Sequence, residues 1–196
     1  MAQTIKPELP IVPFGSQAEW RDWLEQNYTL HSGIWLQFYK KGSGTPTVTY
    51  AGALDEALCF GWIDGQMKRG DEKYYLQKFT PRRVRSMWSK RNTEHVARLE
   101  KEGKIAPSGW KAIEAAKADG RWACAYDSPG KMTVPEELLS ELAKDPQSLA
   151  FFESLDKTNK YAIVWRIQSA KNPVTKAKRM SVILDMLANG EKIHPK

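Results

Sequence analysis

Two short stretches in the first half of the chain, WIDGQMKR (62–69) and EKYYLQKF (72–79), have the composition of neighbouring β-strands. The Asp-Gly pair at 64–65 is by itself a strong hairpin signal. A turn at that point would leave only QMKR as the return strand, whereas RGDEK (69–73) can join two strands of full length. We therefore predict that the hairpin turns at 69–73 and that Asp64 lies inside its first strand.

Side chains alternate between the two faces of a strand, so this register decides which of them lie together. The alternation puts four side chains on one face: Trp62, Asp64, Gln66 and Lys68. An aromatic ring, a carboxylate, an amide and an amine make a poor hydrophobic core. The face is therefore a candidate binding site.

A strongly basic segment, FTPRRVRSMWSKRN (79–92), follows the hairpin and contains five Lys or Arg residues and no Asp or Glu. Pro81 prevents the strand from continuing regularly. Arg82 and Arg83 are therefore expected to leave the sheet edge on a non-helical stretch. Arginine forks bind carboxylate and phosphate groups through paired hydrogen bonds, so the segment is a candidate anion site.

Two further candidate residues, one aromatic and one with an amide side chain, lie further along the same segment. Trp88 and Asn92 fall on one face of a helix if that helix begins at Ser86. An indole stacks on planar ligands and on cations. The alternative is that Trp88 belongs to the core and that the arginines pair with nearby carboxylates.

The remaining N-terminal elements are predicted from periodicity. SQAEWRDWLEQNY is typical of a helix in which Ser16 and Glu19 form a capping box. GIWLQFYKK has the aromatic and branched content of a strand, and YAGALDEALCFG predicts a helix that ends at Gly61. The first fourteen residues, with three prolines, are interpreted as an extended arm.

Beyond SPGK (128–131), the sequence carries the start signals of helices. Asp-Pro at 145–146 and Asn-Pro at 172–173 pair an N-cap with proline at the first helical position. Thr133 and Glu136 are predicted to form a further capping box.

These patterns predict an α+β fold. We expect a small antiparallel sheet with helices in the N-terminal part (15–127) and an all-helical C-terminal part (132–192), with SPGK as the linker.

The amino-acid composition limits the classes of protein to which the chain can belong. The chain has 196 residues, eight Trp and 41% hydrophobic residues, which is enough for a packed core. Cys59 and Cys124 are expected to be free thiols, as in a reducing compartment. No signal peptide and no apolar run of membrane-spanning length are recognised, so a cytoplasmic location is expected. The net charge of +7 favours anionic partners in general.

Three long motifs carry a family resemblance: YAGALDEALCFGWIDGQ (50–66), YYLQKFTPRRVRSMWSKRN (74–92) and AAKADGRWACAYDSP (115–129). They resemble the YdeI/OmpD-associated family, also labelled bacteriocin-protection proteins. The resemblance runs from about Glu19 to Pro195, and NKYAIVWRIQSAKNPVTKAKRM looks like the C-terminal module that gives the family its name. It implies association with an outer-membrane porin or protection against bacteriocin, and no defined reaction.

Other kinds of site are not favoured. The histidines, His31, His95 and His194, are dispersed, and neither CxxC nor HExxH is present, so no metal or cofactor is expected. KKGSGT lacks the Walker spacing and is interpreted as a flexible loop rather than a phosphate cradle. A basic zone at 157–184 is interpreted as the solvated side of helices, and a nucleic-acid partner is not expected because no motif for sequence readout occurs.

The function predicted from the sequence is binding of a small anionic or aromatic ligand between the sheet and segment 79–92. The candidate ligand-binding residues are Trp62, Asp64, Gln66, Arg82, Arg83, Trp88 and Asn92. An enzyme that uses Asp64 as a general acid or base is one alternative. The other is a protein-interaction module that acts through the C-terminal helices.

Overall fold

A computed structural model of the chain describes residues 8–195. The elements in chain order are β1 (Ile11–Pro13), α1 (Gln17–Asn27), β2 (Ile34–Tyr39), α2 (Tyr50–Cys59), β3 (Trp62–Arg69), β4 (Tyr74–Pro81), α3 (Lys90–Lys101), α4 (Pro107–Ala118), α5 (Glu136–Leu142), α6 (Pro146–Ser154), α7 (Lys157–Gln168) and α8 (Pro173–Ala188).

The described residues form two compact units. Residues 8–86 and 95–114 make up the first unit, which contains all four strands. Residues 87–94 and 115–195 make up the second unit, which contains α5 to α8. The α+β class and the helical C-terminal part are confirmed. The predicted boundaries, 15–127 and 132–192, stay a prediction.

The sheet of the first unit has the strand order β1-β2-β4-β3. β2, β4 and β3 pair antiparallel as predicted, but β1 runs parallel to β2, so the sheet is mixed. The sequence did not predict β1 because it is a three-residue strand that ends in proline. Proline is tolerated there because β1 is an edge strand.

The hairpin of β3 and β4 turns where the sequence predicted. Asp64 lies inside β3, and the turn occupies residues 70–73. The Asp71 carboxylate accepts hydrogen bonds from the backbone N–H groups of Lys73 at 2.7 Å and Tyr74 at 3.1 Å. A side chain that satisfies two backbone donors in this way stabilises a turn, which explains why Asp64-Gly65 does not form one.

The Ser16 N-cap and the helix end at Gly61 are also confirmed, whereas the Glu19 carboxylate accepts from the backbone N–H of Gly15 rather than from that of Ser16. The Ser16 hydroxyl accepts from the backbone N–H of Glu19, and α1 begins directly after Ser16. α2 is followed by Gly61, whose φ of +75° is the left-handed conformation that favours glycine at a helix end.

Helices α5 to α8 of the second unit enclose one apolar core. The Asp145 and Asn172 side chains cap α6 and α8, as predicted. The Thr133 capping box is wrong, because α5 begins only at Glu136, after Pro135. A residue that precedes proline is disfavoured in helical conformation, so the helix cannot begin before Pro135. The buried core residues are Leu138, Leu142, Phe152, Leu155, Ile163, Ile167, Ile183 and Leu187.

Both cysteines are free thiols, as predicted, but their surroundings differ. Cys59 is fully buried, whereas Cys124 is partly exposed. Burial, with the Glu56 carboxylate nearby, raises the pKa of the Cys59 thiol to about 12. At pH 8 this thiol is therefore almost entirely protonated and inert.

We expect dithionitrobenzoate at pH 8 to modify one thiol per native chain rapidly, and the second only as the protein unfolds. The fast phase should disappear in Cys124→Ala and persist in Cys59→Ala, because Cys124 is partly exposed and Cys59 is buried. Two fast thiols in the native wild type would contradict the burial of Cys59.

Candidate functional site

A hydrogen bond joins the start of α2 to strand β3. Tyr50 is the first residue of α2, and Thr49 caps the helix by accepting from the backbone N–H of Gly52. The Tyr50 hydroxyl donates to Oδ2 of Asp64 at 2.6 Å. A hydrogen bond to an ionised carboxylate is short and strong, so the phenol holds Asp64 in one orientation.

The loop that precedes Tyr50 borders a cavity of about 490 Å³, which we call the loop cavity. Residues 40–49 form one side and include the KKGSGT motif. The other lining residues are Phe38, Tyr39, Tyr50 and Tyr75. Tyr50 thus contributes to the cavity wall while its hydroxyl reaches Asp64.

The loop cavity carries positive charge. Lys40 and Lys41 both lie in its lining and are exposed. Lys40 Nζ donates to the backbone carbonyl of Asp71 at 2.9 Å, which holds this ammonium at the turn between β3 and β4. The N-terminus of α2 adds a partial positive charge next to Thr49 and Tyr50. Together these groups favour an anion over a cation.

A stacked aromatic pair also lines the loop cavity. Phe38 and Tyr75 are stacked, with centroids 5.1 Å apart and an angle of 10° between their planes. Burial raises the pKa of the Tyr75 phenol, so it remains protonated at neutral pH and able to donate a hydrogen bond. Phe38 is buried and backs the half-buried Tyr75, so Tyr75 is the ring of this pair that offers a ligand a flat surface and a polar edge.

Trp62, a predicted site residue, lies in the core of the first unit. Its ring is buried and makes edge contacts with Trp20 at 6.3 Å and Trp23 at 5.9 Å. Its indole N–H donates to the carbonyl of Tyr28. These contacts give Trp62 a structural role in the first unit.

The predicted face of β3 is wrong beyond Asp64. The pairing of β3 with β4 shifts between Asp64 and Met67, as in a β-bulge. The extra residue moves Met67 onto the face of Asp64 and leaves Gln66 and Lys68 on the other face. Strict alternation could not reveal this, because a bulge depends on the partner strand.

The two arginines that follow β4 are placed differently from each other. The backbone N–H of Arg82 donates to the carbonyl of Gly61 at 2.9 Å, and the residue is half-buried. Arg83 is exposed. A role for Arg82 and Arg83 in anion binding stays a prediction.

Trp88 and Asn92 belong to the second unit, and both are buried. The expectation of a shared helical face is wrong, because α3 begins at Lys90 and not at Ser86. The chain before α3 is held extended by Tyr126, which donates its backbone N–H to the Trp88 carbonyl and accepts from the Lys90 N–H. The structure thus brings Asp64, but not Trp88 or Asn92, to the loop cavity through Tyr50.

A further polar cluster of the first unit was missed by the sequence analysis. His95 Nδ1 lies 2.7 Å from Oδ1 of Asp55, and Arg98 donates to the other oxygen of that carboxylate at 2.6 Å. The Asp55 carboxylate thus links two cationic or ionisable side chains of α3 to α2. Asp55 and His95 are forty residues apart, so no local motif could have indicated this pair.

Two classes of site find no support in residues 8–195. No three His, Cys, Asp or Glu side chains gather there in a way that could hold a metal ion. No helix in this part of the chain has the length and apolar composition that a membrane crossing requires.

Two protein-family models match different parts of the chain. Residues 12–112, slightly more than half of its length, match a family model described as domain of unknown function DUF8412. The chain belongs to this family. Residues 131–190 match a second model, described as bacteriocin-protection, YdeI or OmpD-associated, which confirms the predicted resemblance for the C-terminal part. Neither curated proteins nor solved structures gave a match. The loop cavity, Tyr50 and Asp64 all lie within the DUF8412 match.

A double-mutant cycle tests the bond between Tyr50 and Asp64. We expect Tyr50→Phe and Asp64→Asn each to lower the free energy of unfolding by about 1–2 kcal/mol, because each removes a charge-assisted hydrogen bond. The double variant should lose less than the sum of the two, by about 1 kcal/mol, in urea unfolding. Simple additivity would show that the two side chains do not interact.

Proposed function

We propose that the DUF8412 region of this chain binds a small anionic ligand with an aromatic group in the loop cavity. The observation that carries the proposal is that positive charge and a stacked aromatic pair line a single cavity of ligand size. The cavity residues come from one compact unit.

The anionic part of the ligand is assigned to the loop side of the cavity. Lys40 and Lys41 supply two ammonium groups, and the α2 N-terminus adds to their field. Lys ammonium groups bind phosphate and carboxylate as point charges without a fixed fork geometry. A ligand that carries either a phosphate or a carboxylate group can therefore bind at these lysines.

The aromatic part is assigned to the ring of Tyr75, which is half-buried and packed on the buried Phe38. A flat ligand ring can pack on the exposed part of Tyr75 in an offset or edge-on arrangement. Tyr50 lies between the two sides of the cavity, and its hydroxyl is already oriented by Asp64. Asp64 therefore acts through Tyr50, as a positioning residue rather than a direct ligand contact.

Two further predictions from the sequence are independent of the loop cavity. Helices α5 to α8 are proposed to contact a protein partner, in line with the family description of residues 131–190. The cytoplasmic location likewise stays a prediction.

Three probes separate the two parts of the proposed ligand: inorganic phosphate, benzamide and phenyl phosphate. We expect phenyl phosphate to raise the melting temperature saturably and to bind more tightly in calorimetry than either of the others, because it alone engages both walls. Lys40→Gln combined with Lys41→Gln should weaken phenyl phosphate binding about tenfold, equivalent to about 1.4 kcal/mol.

A matched control is Lys157→Gln combined with Lys178→Gln, which removes two exposed lysines of the second unit. It changes the net charge equally and should leave the affinity unchanged. If both pairs of substitutions weaken phenyl phosphate binding equally, the effect arises from net charge alone. If the wild type does not bind phenyl phosphate, the proposal is refuted.

A further inference from the structure

Two lysines converge on one tryptophan at the face of the sheet that lies opposite α1 and α2. Lys78 pairs directly with Trp35 across β4 and β2, and Lys68 comes from the edge strand β3. Their Nζ atoms lie 5.9 Å and 4.4 Å from the centroid of the Trp35 ring. We call this side of the sheet the Trp35 face.

Helices α1 and α2 pack on the other side. Trp20 of α1 contacts Phe79, and Tyr50 of α2 contacts Phe38, at centroid distances of 5.8 Å and 6.4 Å. Phe38 and Phe79 alternate with Trp35 and Lys78 along their strands, so they project from the opposite face.

The two ammonium groups of the Trp35 face have no carboxylate partner in the described part of the chain. Within residues 8–195, no carboxylate lies within 4.0 Å of either Nζ. A cation over an indole is stabilised, but two like charges over the same ring repel each other. An anion bound between Lys68 and Lys78 would relieve this repulsion.

The same face carries a pair of aromatic side chains at its other end. Tyr39 and Tyr74 are directly opposed on the two central strands, with ring centroids 6.4 Å apart at 69°. Both are half-buried, so part of each ring is accessible. The two central strands therefore present the tyrosine pair at one end of this face, and the lysines of β3 and β4 lie toward its other end.

We propose that the Trp35 face binds single-stranded nucleic acid without sequence preference. Lys68 and Lys78 contact phosphates, and a base stacks on the Tyr39 and Tyr74 pair. Every base has a flat surface that can stack on an aromatic ring, so this mode of binding needs no readout motif. That explains how the chain can bind nucleic acid although its sequence lacks the motifs of specific recognition.

The test uses the full chain and a fluorescein-labelled oligothymidylate of about fifteen nucleotides, followed by anisotropy as a function of salt. Lys68→Gln combined with Lys78→Gln should weaken binding at least about tenfold. It should also flatten the slope of log K against log salt by about 1.4, since each phosphate contact on a single strand contributes about 0.7. The Lys157→Gln and Lys178→Gln pair is the charge-matched control and should retain the wild-type slope.

A second set of variants tests stacking. Tyr74→Leu should weaken binding about tenfold, whereas Tyr74→Phe, which keeps the ring, should retain it. Tyr74 does not line the loop cavity, but it contacts Tyr39, which does. Phenyl phosphate binding to Tyr74→Phe, which keeps this ring contact, should therefore be unchanged. Circular dichroism verifies that each variant folds.

Three outcomes would overturn the proposal. One is no anisotropy change with the wild type at low salt. Another is wild-type affinity and slope in the Lys68 and Lys78 double variant. The third is displacement of the oligonucleotide by inorganic polyphosphate at equal phosphate concentration, together with full binding by Tyr74→Leu. This last result would define a site for polyanions in general, with no role for bases.

Discussion

Trp20 is the side chain on which the first unit depends. Its ring is fully buried and contacts Phe14, Trp62 and Phe79, which joins α1 to the sheet. Its indole N–H donates to the carbonyl of Ala53 at 3.0 Å, which joins α1 to α2. A buried indole needs a partner for its single polar atom, and here that requirement fixes the position of α2 as well as the packing of the core.

The position of α2 in turn determines the loop cavity. Tyr50 starts the helix and can reach Asp64 only while α2 lies on the sheet. Further along α2, the buried carboxylate of Glu56 accepts from Gln17 at 2.6 Å and from Arg21 at 2.7 Å, so α1 holds this helix by charge as well. A buried charge without these partners would strongly destabilise the fold. The proposed binding site therefore depends on core contacts that lie outside it.

Local sequence patterns predicted the helices and strands well, but they predicted the contacts between distant segments poorly. The strand-like composition of 62–69 and 72–79 and the turn residues RGDEK (69–73) predicted the hairpin, and Asp64 was correctly placed inside a strand. The bulge after Asp64 and the extended chain at Trp88 were not predictable, because each depends on pairing with a distant segment. Tyr50 was overlooked for the same reason. Its position directly after a glycine-rich loop was visible in the sequence, but Tyr50 and Asp64 are fourteen positions apart and no local motif indicates their hydrogen bond.

The measurement that tests the binding site most directly is a ¹H–¹⁵N NMR titration of the full chain with phenyl phosphate. We expect the amide signals that shift most to belong to residues 40–50 and to Tyr75, which line the loop cavity. We also expect these shifts to saturate with one affinity and to become smaller in the Lys40→Gln, Lys41→Gln variant. Shifts confined to residues 82–92, or to helices α5 to α8, would contradict the proposed site and would place the ligand elsewhere in the chain.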